Sequence, residues 1–153
     1  GRRADRMTET RKDISQAAAD ALAQDAAIVK ARLERQARIE TTHNPLPRVD
    51  YLCKVVGKSS NDAATITLRY VPDKLLIQEE AFGIYLAALP VTETLESLAA
   101  MVLDDLNNEL VPRFLQICVA ASRDGLDAGH AVLIEDRRPR WDNAALLARL
   151  PNF

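Results

Sequence analysis

The hydrophobic period of this chain first changes at "THNPLP" (42–47), and that change limits the fold more than any other feature. On its N-terminal side, "DISQAAADALAQDAAIVKARLERQARI" runs from Asp13 to Ile39 without Gly or Pro and is rich in Ala, Leu, Arg, Gln and Glu. Such a run reads as one long helix. Ile14, Ala18, Leu22, Ala26, Val29, Leu33 and Ala37 follow one another at steps of four with a single step of three, a narrow stripe in which small side chains interrupt larger ones. A stripe of this kind packs weakly, and the helix is expected to lie on its own domain or on a neighbouring subunit. The two prolines flanking Leu46 then stop it, because neither the prolines nor the residues before them accept helical geometry.

Beyond this breaker the period is two. "YLCKVV" is a short strand candidate, "GKSSND" a turn, and "ATITLRYV" a strand with Ala64, Ile66, Leu68 and Tyr70 on one face, so the pair reads as an antiparallel hairpin. "KLLIQEEAFGIYLAAL" returns to helical spacing, with Gly83 inside it, and ends at Leu89 and Pro90. "TLESLAAMVLDDLNNEL" aligns Leu95, Leu98, Ala99, Val102, Leu103 and Leu106 along one helical stripe, with Thr92 or Thr94 as its N-cap. "FLQICVAAS" is a third strand, "RDGLD" a turn and "GHAVLIED" its antiparallel partner, and a short helix is expected around Ala144 to Leu150. The order strand, strand, helix, helix, strand, strand predicts an α+β design: an antiparallel four-stranded sheet with two helices on one face, preceded by the long helix. Four strands leave open edges that another subunit can cover. The expected organisation is a disordered or cloning-derived tail (1–12), an N-terminal helix (13–40), the α+β domain (46–136) and a C-terminal tail with a short helix (137–153).

Composition narrows the function classes. Twenty Lys and Arg against 22 Asp and Glu leave no field that favours nucleic acid or an acidic membrane surface. No apolar run approaches the roughly 20 residues of a membrane helix, and the N-terminus lacks the pattern of a secretory signal. Cys53 and Cys118 are too few for a disulfide framework or a four-thiolate zinc site, so a reducing cytoplasm is the expected setting. His43 and His130 have no second ligand at a useful spacing, and the five glycines are scattered singly, which argues against a metal centre and a phosphate-cradling loop. Cys53, Asp62 and Glu96 remain as candidates. Each also has a structural reading: a small core thiol, a turn-capping acid, and a helix-start acid that gains from the dipole.

From Ile39 to about Val132 the chain resembles the 7-cyano-7-deazaguanine reductase (QueF) family of tunnelling-fold (T-fold) proteins, which act in queuosine biosynthesis for tRNA. The resemblance rests on "IETTHNPLPRVDY", "DAATITLRYVPDKLLI", "YLAAL", "LESLAAMVLDDL" and "VPRFLQICVAASRDG". It implies a cysteine that adds to a substrate nitrile, an aspartate that supplies protons, and a His-Glu pair whose Glu anchors the guanine-like edge of the base. Asp62 matches the aspartate and Glu96 the anchoring glutamate, while Leu95 stands where the histidine belongs. The family's NADPH-contacting segment matches "IQEEAFGIYL", with Glu79, Glu80 and Gly83 in it; two acids repel a phosphate-bearing cofactor, so no cofactor is expected. Two registers compete for Cys53. One lines it up with the nucleophile; the other, favoured because it preserves the hairpin, makes it part of the first strand and leaves the nucleophile loop about nine residues short.

The resemblance leads to three readings: a protein that binds a 7-deazaguanine, purine or pterin-like base without the nitrile-reducing machinery; a divergent NADPH-dependent reductase or nitrile-directed transferase using Cys53 and Asp62; and a purely structural assembly protein. It also implies a homo-oligomer with sites between subunits. A small-molecule base is the expected partner, with no membrane and no direct nucleic acid.

Overall fold

A computed structural model describes residues 2–123 and 126–153, with side chains for 10–122 and 129–153. The chain divides into two compact units, Gly1–Glu34 and Arg35–Phe153. The first is helical: helix α1 spans Arg2–Ala37, so it takes in residues 2–12 of the segment expected as a disordered or cloning-derived tail, and it ends short of residue 40. The physical reason is plain in the sequence, since no Gly or Pro occurs between Gly1 and Pro45. From Thr10 to Glu34 every side chain of α1 is exposed.

The second unit contains strands β1 (Thr41–His43), β2 (Cys53–Lys58), β3 (Ala64–Val71), β4 (Leu75–Ile77), helices α2 (Glu79–Ala87) and α3 (Leu95–Leu110), strands β5 (Phe114–Arg123) and β6 (Leu126–Arg137), and the short helix α4 (Ala144–Leu147). The main sheet is antiparallel in the order β2-β3-β5-β6, the ββααββ plan of the α+β T-fold expected from the sequence. Register puts Cys53, Val55 and Gly57 beside Tyr70, Leu68 and Ile66, and these beside Leu115, Ile117 and Val119. One face of the sheet thereby becomes a continuous apolar surface. Phe82, Tyr85 and Leu86 of α2 and Leu98, Val102 and Leu106 of α3 join it in a single core cluster.

Within this unit the largest differences from the sequence reading lie at β2, β4 and β6. β2 extends through Gly57 and Lys58, which were expected in the turn. Gly57 is there for close approach: a Cβ on it would lie 2.6 Å from Leu86 Cδ1 and 3.4 Å from Phe82 Cδ2, so its small size admits α2 to the sheet. Leu75 to Ile77, expected at the start of a helix, pair as β4 with β1, which also takes His43 out of the expected loop. The pairing is joined by Asn44 N–H donating to Lys74 O at 2.8 Å and Ile77 N–H donating to Tyr70 Oη at 3.1 Å. Finally, Arg123, Leu126 and Asp127, expected in a turn, already belong to β5 and β6, with a register shift between Ala120 and Ser122; residues 124–125 of that expected turn lie outside the described residues.

Two polar networks tie the unit together. On α3, fully buried Asp105 accepts hydrogen bonds from Arg35 Nε at 2.9 Å, Gln36 Nε2 at 3.2 Å and Tyr85 Oη at 2.6 Å. Burial, then the Asp105 carboxylate, raise the Tyr85 phenol's pKa, and the hydrogen bond to Asp105 raises that of Arg35. At the end of the sheet where β3 stops and β5 begins, Arg113 reaches Asp50 at 3.2 Å and Asp73 at 3.0 Å and donates to the carbonyls of Pro47 and Val49. Arg138 bridges the same Asp73 at 2.9 Å, and Trp141 Nε1 and Asn143 Nδ2 each donate to Asp50 Oδ2 at 3.1 Å. The proline-rich breaker and the C-terminal tail are both fixed by these bonds.

Candidate functional site

Helix α3 starts at a capped N-terminus: Thr94 is extended (φ −133°, ψ 157°) and its side-chain oxygen accepts from Ser97 N–H at 3.0 Å, the preferred way to satisfy a first-turn donor. Glu96 follows in that first turn, where the free N–H groups of the helix favour a carboxylate. The helix runs back along the sheet, so its N-terminus lies at the end formed by the β2–β3 turn and by β5–β6. A cleft of about 390 Å³ opens there, and Asn61, Leu89, Thr94, Glu96, Ala121 and His130 are among the residues that line it.

The β2–β3 turn is unusual in its backbone. Asn61 and Asp62 both have left-handed φ, 60° and 55°, a conformation that Asn and Asp tolerate better than most residues but that still costs free energy. The turn is held by Asp62 N–H donating to Ser59 O at 3.1 Å, Ala64 N–H donating to Ser59 Oγ at 3.0 Å, and Ser60 Oγ donating to Leu89 O at 3.3 Å across to the loop after α2. Asp62 is exposed on this strained turn, next to cleft-lining Asn61 and Ala63. Backbone of this kind is common in tight hairpin turns, where Asn and Asp accept it.

The structure therefore brings Asp62 and Glu96 to one end of the sheet, and it adds a residue the sequence reading set aside. His130 enters from β6 with Nε2 at 3.9 Å from Glu96 Oε1, both side chains more than half exposed. The signal that could have found it is strand pairing. Running the predicted last strand back antiparallel to β5 carries residue 130 to the level of Ala121, the neighbour of Ala64.

Cys53 is at the other end. It begins β2, pairs with Tyr70, and is separated from Lys58 at the far end of the strand by about 17 Å at the usual rise per residue, with Asp62 beyond that. Within one chain, the arrangement in which Asp62 protonates a nitrile attacked by Cys53 is not formed. The thiol is partly buried against the core. Burial pushes its pKa up, and hydrogen bonds with Tyr70 and Tyr51 only partly offset this; a nucleophilic thiol needs the opposite shift. The hairpin register, in which Cys53 is a strand residue, is the one observed.

The segment matched to the family's NADPH contact forms α2 and its approach. Glu79 and Glu80 occupy the first turn, and a second cleft of about 400 Å³ beside it is lined by Glu40, Glu80 and Arg38. Two carboxylates against one guanidinium do not fit a pyrophosphate or a 2′-phosphate. Among the described residues no three His, Cys, Asp or Glu side chains gather as metal ligands, and no helix is long and apolar enough to cross a membrane.

No protein-family model matches the chain. Curated proteins do. An NADPH-dependent 7-cyano-7-deazaguanine reductase of Nitrosococcus oceani is 32% identical over 126 residues, which cover 74% of this chain and 94% of that protein. One of Acidithiobacillus ferrooxidans is 30% identical over 111 residues, covering 71% and 76%. Among solved structures, an archaeosine synthase QueF-Like in the apo form superposes with a TM-score of 0.39 at 18% identity, over 55% of this chain and 89% of that one. With nearly the whole length of the Nitrosococcus oceani protein matched at that identity, the chain belongs to the NADPH-dependent 7-cyano-7-deazaguanine reductase family.

Proposed function

We propose that this protein binds a 7-deazaguanine, purine or pterin-like base in the cleft at the N-terminus of α3, anchored by Glu96, and does not carry out the nitrile reduction of its relatives. The observation that carries the reading is the separation of the family's functional positions. Glu96 lines a cleft of about 390 Å³ whose rim includes the Asp62 turn, while the thiol sits at the opposite end of β2. A cleft of this size suits a bicyclic base. A carboxylate there can accept paired hydrogen bonds from a ring N–H and an adjacent amino group, a charge-assisted pair with strong geometric preference. Asp62 and His130 remain beside it as polar groups for the rest of the ring edge. A nitrile reductase needs a thiolate within bonding distance of the substrate carbon and a proton donor at the nitrogen; the position and raised pKa of Cys53 argue against it.

The same proposal includes a homo-oligomer. The cleft is open on one side, and β2 and β6 are unpaired edges among the described residues, so a second subunit can supply the missing wall.

The test is direct. The protein is incubated with 7-cyano-7-deazaguanine and examined by intact mass spectrometry, with NADPH consumption followed in parallel and binding measured by calorimetry. Reversible binding that is lost in Glu96→Gln, with no covalent adduct, is the expected result. A covalent adduct that disappears in Cys53→Ala, together with turnover, would overturn it in favour of a divergent reductase. Absence of any binding would leave the assembly reading.

A further inference from the structure

Ile14, Leu22, Val29 and Leu33 are 65%, 71%, 49% and 61% exposed on α1, in a stretch, Thr10–Glu34, where every side chain faces water. A water-surrounded helix is stabilised chiefly when an apolar face finds a partner, and large side chains aligned along one face mark an interaction surface rather than scattered surface apolars. We propose that the occupant of this face is the α1 helix of a second copy of the chain, docked antiparallel with the two-fold axis at Ala18.

The stripe is chemically symmetric about Ala18. Ile14 and Leu22 lie four residues to either side, and Arg11 and Asp25 lie seven residues to either side. At about 100° per residue, all four fall within about 40° of Ala18 around the helix. They therefore form one face, with a small residue at its centre that lets two backbones approach. An antiparallel partner centred there sets Ile14 of one protomer against the partner's Leu22, and Arg11 against the partner's Asp25, each contact occurring twice. A parallel partner in register sets Arg11 against Arg11 and Asp25 against Asp25, which like-charge repulsion opposes. The charges select the antiparallel copy, and the apolar pairs supply the contact. Nothing in this inference depends on the base-binding cleft.

Sedimentation equilibrium of the full chain tests it. Arg11→Asp and Asp25→Arg, alone, are each expected to raise the dissociation constant about tenfold, since two attractive pairs become two repulsive ones. The double variant, Arg11→Asp with Asp25→Arg, is expected to return it to the wild-type value, and Leu22→Lys to weaken association at least as much as either single change. The restored double variant also separates lost contact from lost folding. A dissociation constant unmoved by the single changes, a double variant weaker than both, or a monomer at every concentration overturns the proposal.

Discussion

At one end of the sheet Arg113, Asp50, Asp73, Arg138 and Trp141 satisfy one another and pin both the proline-rich breaker and the C-terminal tail; at the other, Glu96 and His130 face water across 3.9 Å beside a turn with two left-handed residues. Both ends are rich in charge, yet they use it differently. In the first, each carboxylate accepts several donors and closes a loop of chain. In the second, the carboxylates sit on a helix start and on a strained turn, where the fold gains little from them. Polar groups that stabilise are those with partners; polar groups held ready without partners are candidates for a ligand.

The difference can be broken first at α3. Asp105→Ala strips the acceptor from Arg35, Gln36 and Tyr85 and leaves the partly buried Arg35 guanidinium and the buried Tyr85 phenol short of partners. It is expected to cost about 3–5 kcal/mol, read as a shift in the urea midpoint, and a cost under about 1 kcal/mol would show that the cluster is not holding the helices. Arg113→Ala comes next. Its partners Asp50 and Asp73 are 28% and 21% exposed and recover some hydration, so about 2 kcal/mol is expected, with proteolysis appearing first in the 44–50 loop. Retention of that loop's resistance would show that Arg113 does not hold it.

How far these ends could be read from the sequence follows from how local their causes are. The four-stranded order and the inward face of β3 were legible because alternation in "ATITLRYV" is a property of eight consecutive residues. The N-cap of α3 was legible to within Thr92 or Thr94, and the structure selects Thr94. β1 and β4 were not, because a three-residue pairing between Thr41–His43 and Leu75–Ile77 is made by the approach of distant segments and leaves no period. Gly57 misled: glycine signals a turn, but here it makes room for Leu86. At the cleft, Asp62 and Glu96 came through a family resemblance, and His130 needed the β5–β6 register. Cys53 was ambiguous in one dimension; the structure places it at the start of β2, with the turn that carries Asp62 after the strand's far end.

A pH experiment sharpens the comparison at smaller scale. Burial raises the Asp73 pKa, but the Arg138 hydrogen bond and the charges of Arg138, Arg113 and Lys74 outweigh it and hold the carboxyl below its ordinary value. A depressed folded pKa means stability that is complete above the unfolded value of about 3.9 and lost as pH falls through the lower folded value. Wild type is therefore expected to be more stable than Asp73→Asn at pH 6, by about 1 kcal/mol, with the gap narrowing at pH 3. A gap that is constant with pH would mean that the charge of Asp73 contributes nothing.

The smallest expected effect is the most informative about function. Glu96→Gln keeps the size and shape of a side chain that is 63% exposed and whose nearest ion-pair neighbour among the described residues is the His130 imidazole at 3.9 Å. The folded state loses only a first-turn dipole interaction, so the urea midpoint is expected to move by less than about 0.5 kcal/mol. Base binding is expected to fall at least a hundredfold, because the amide presents a donor where the ring edge needs an acceptor. That split, near-silence in stability with loss of binding, is what a residue kept for a ligand should give. A stability loss as large as that of Arg113→Ala would instead make Glu96 one more structural acid, and would erase the contrast between the two ends of the sheet.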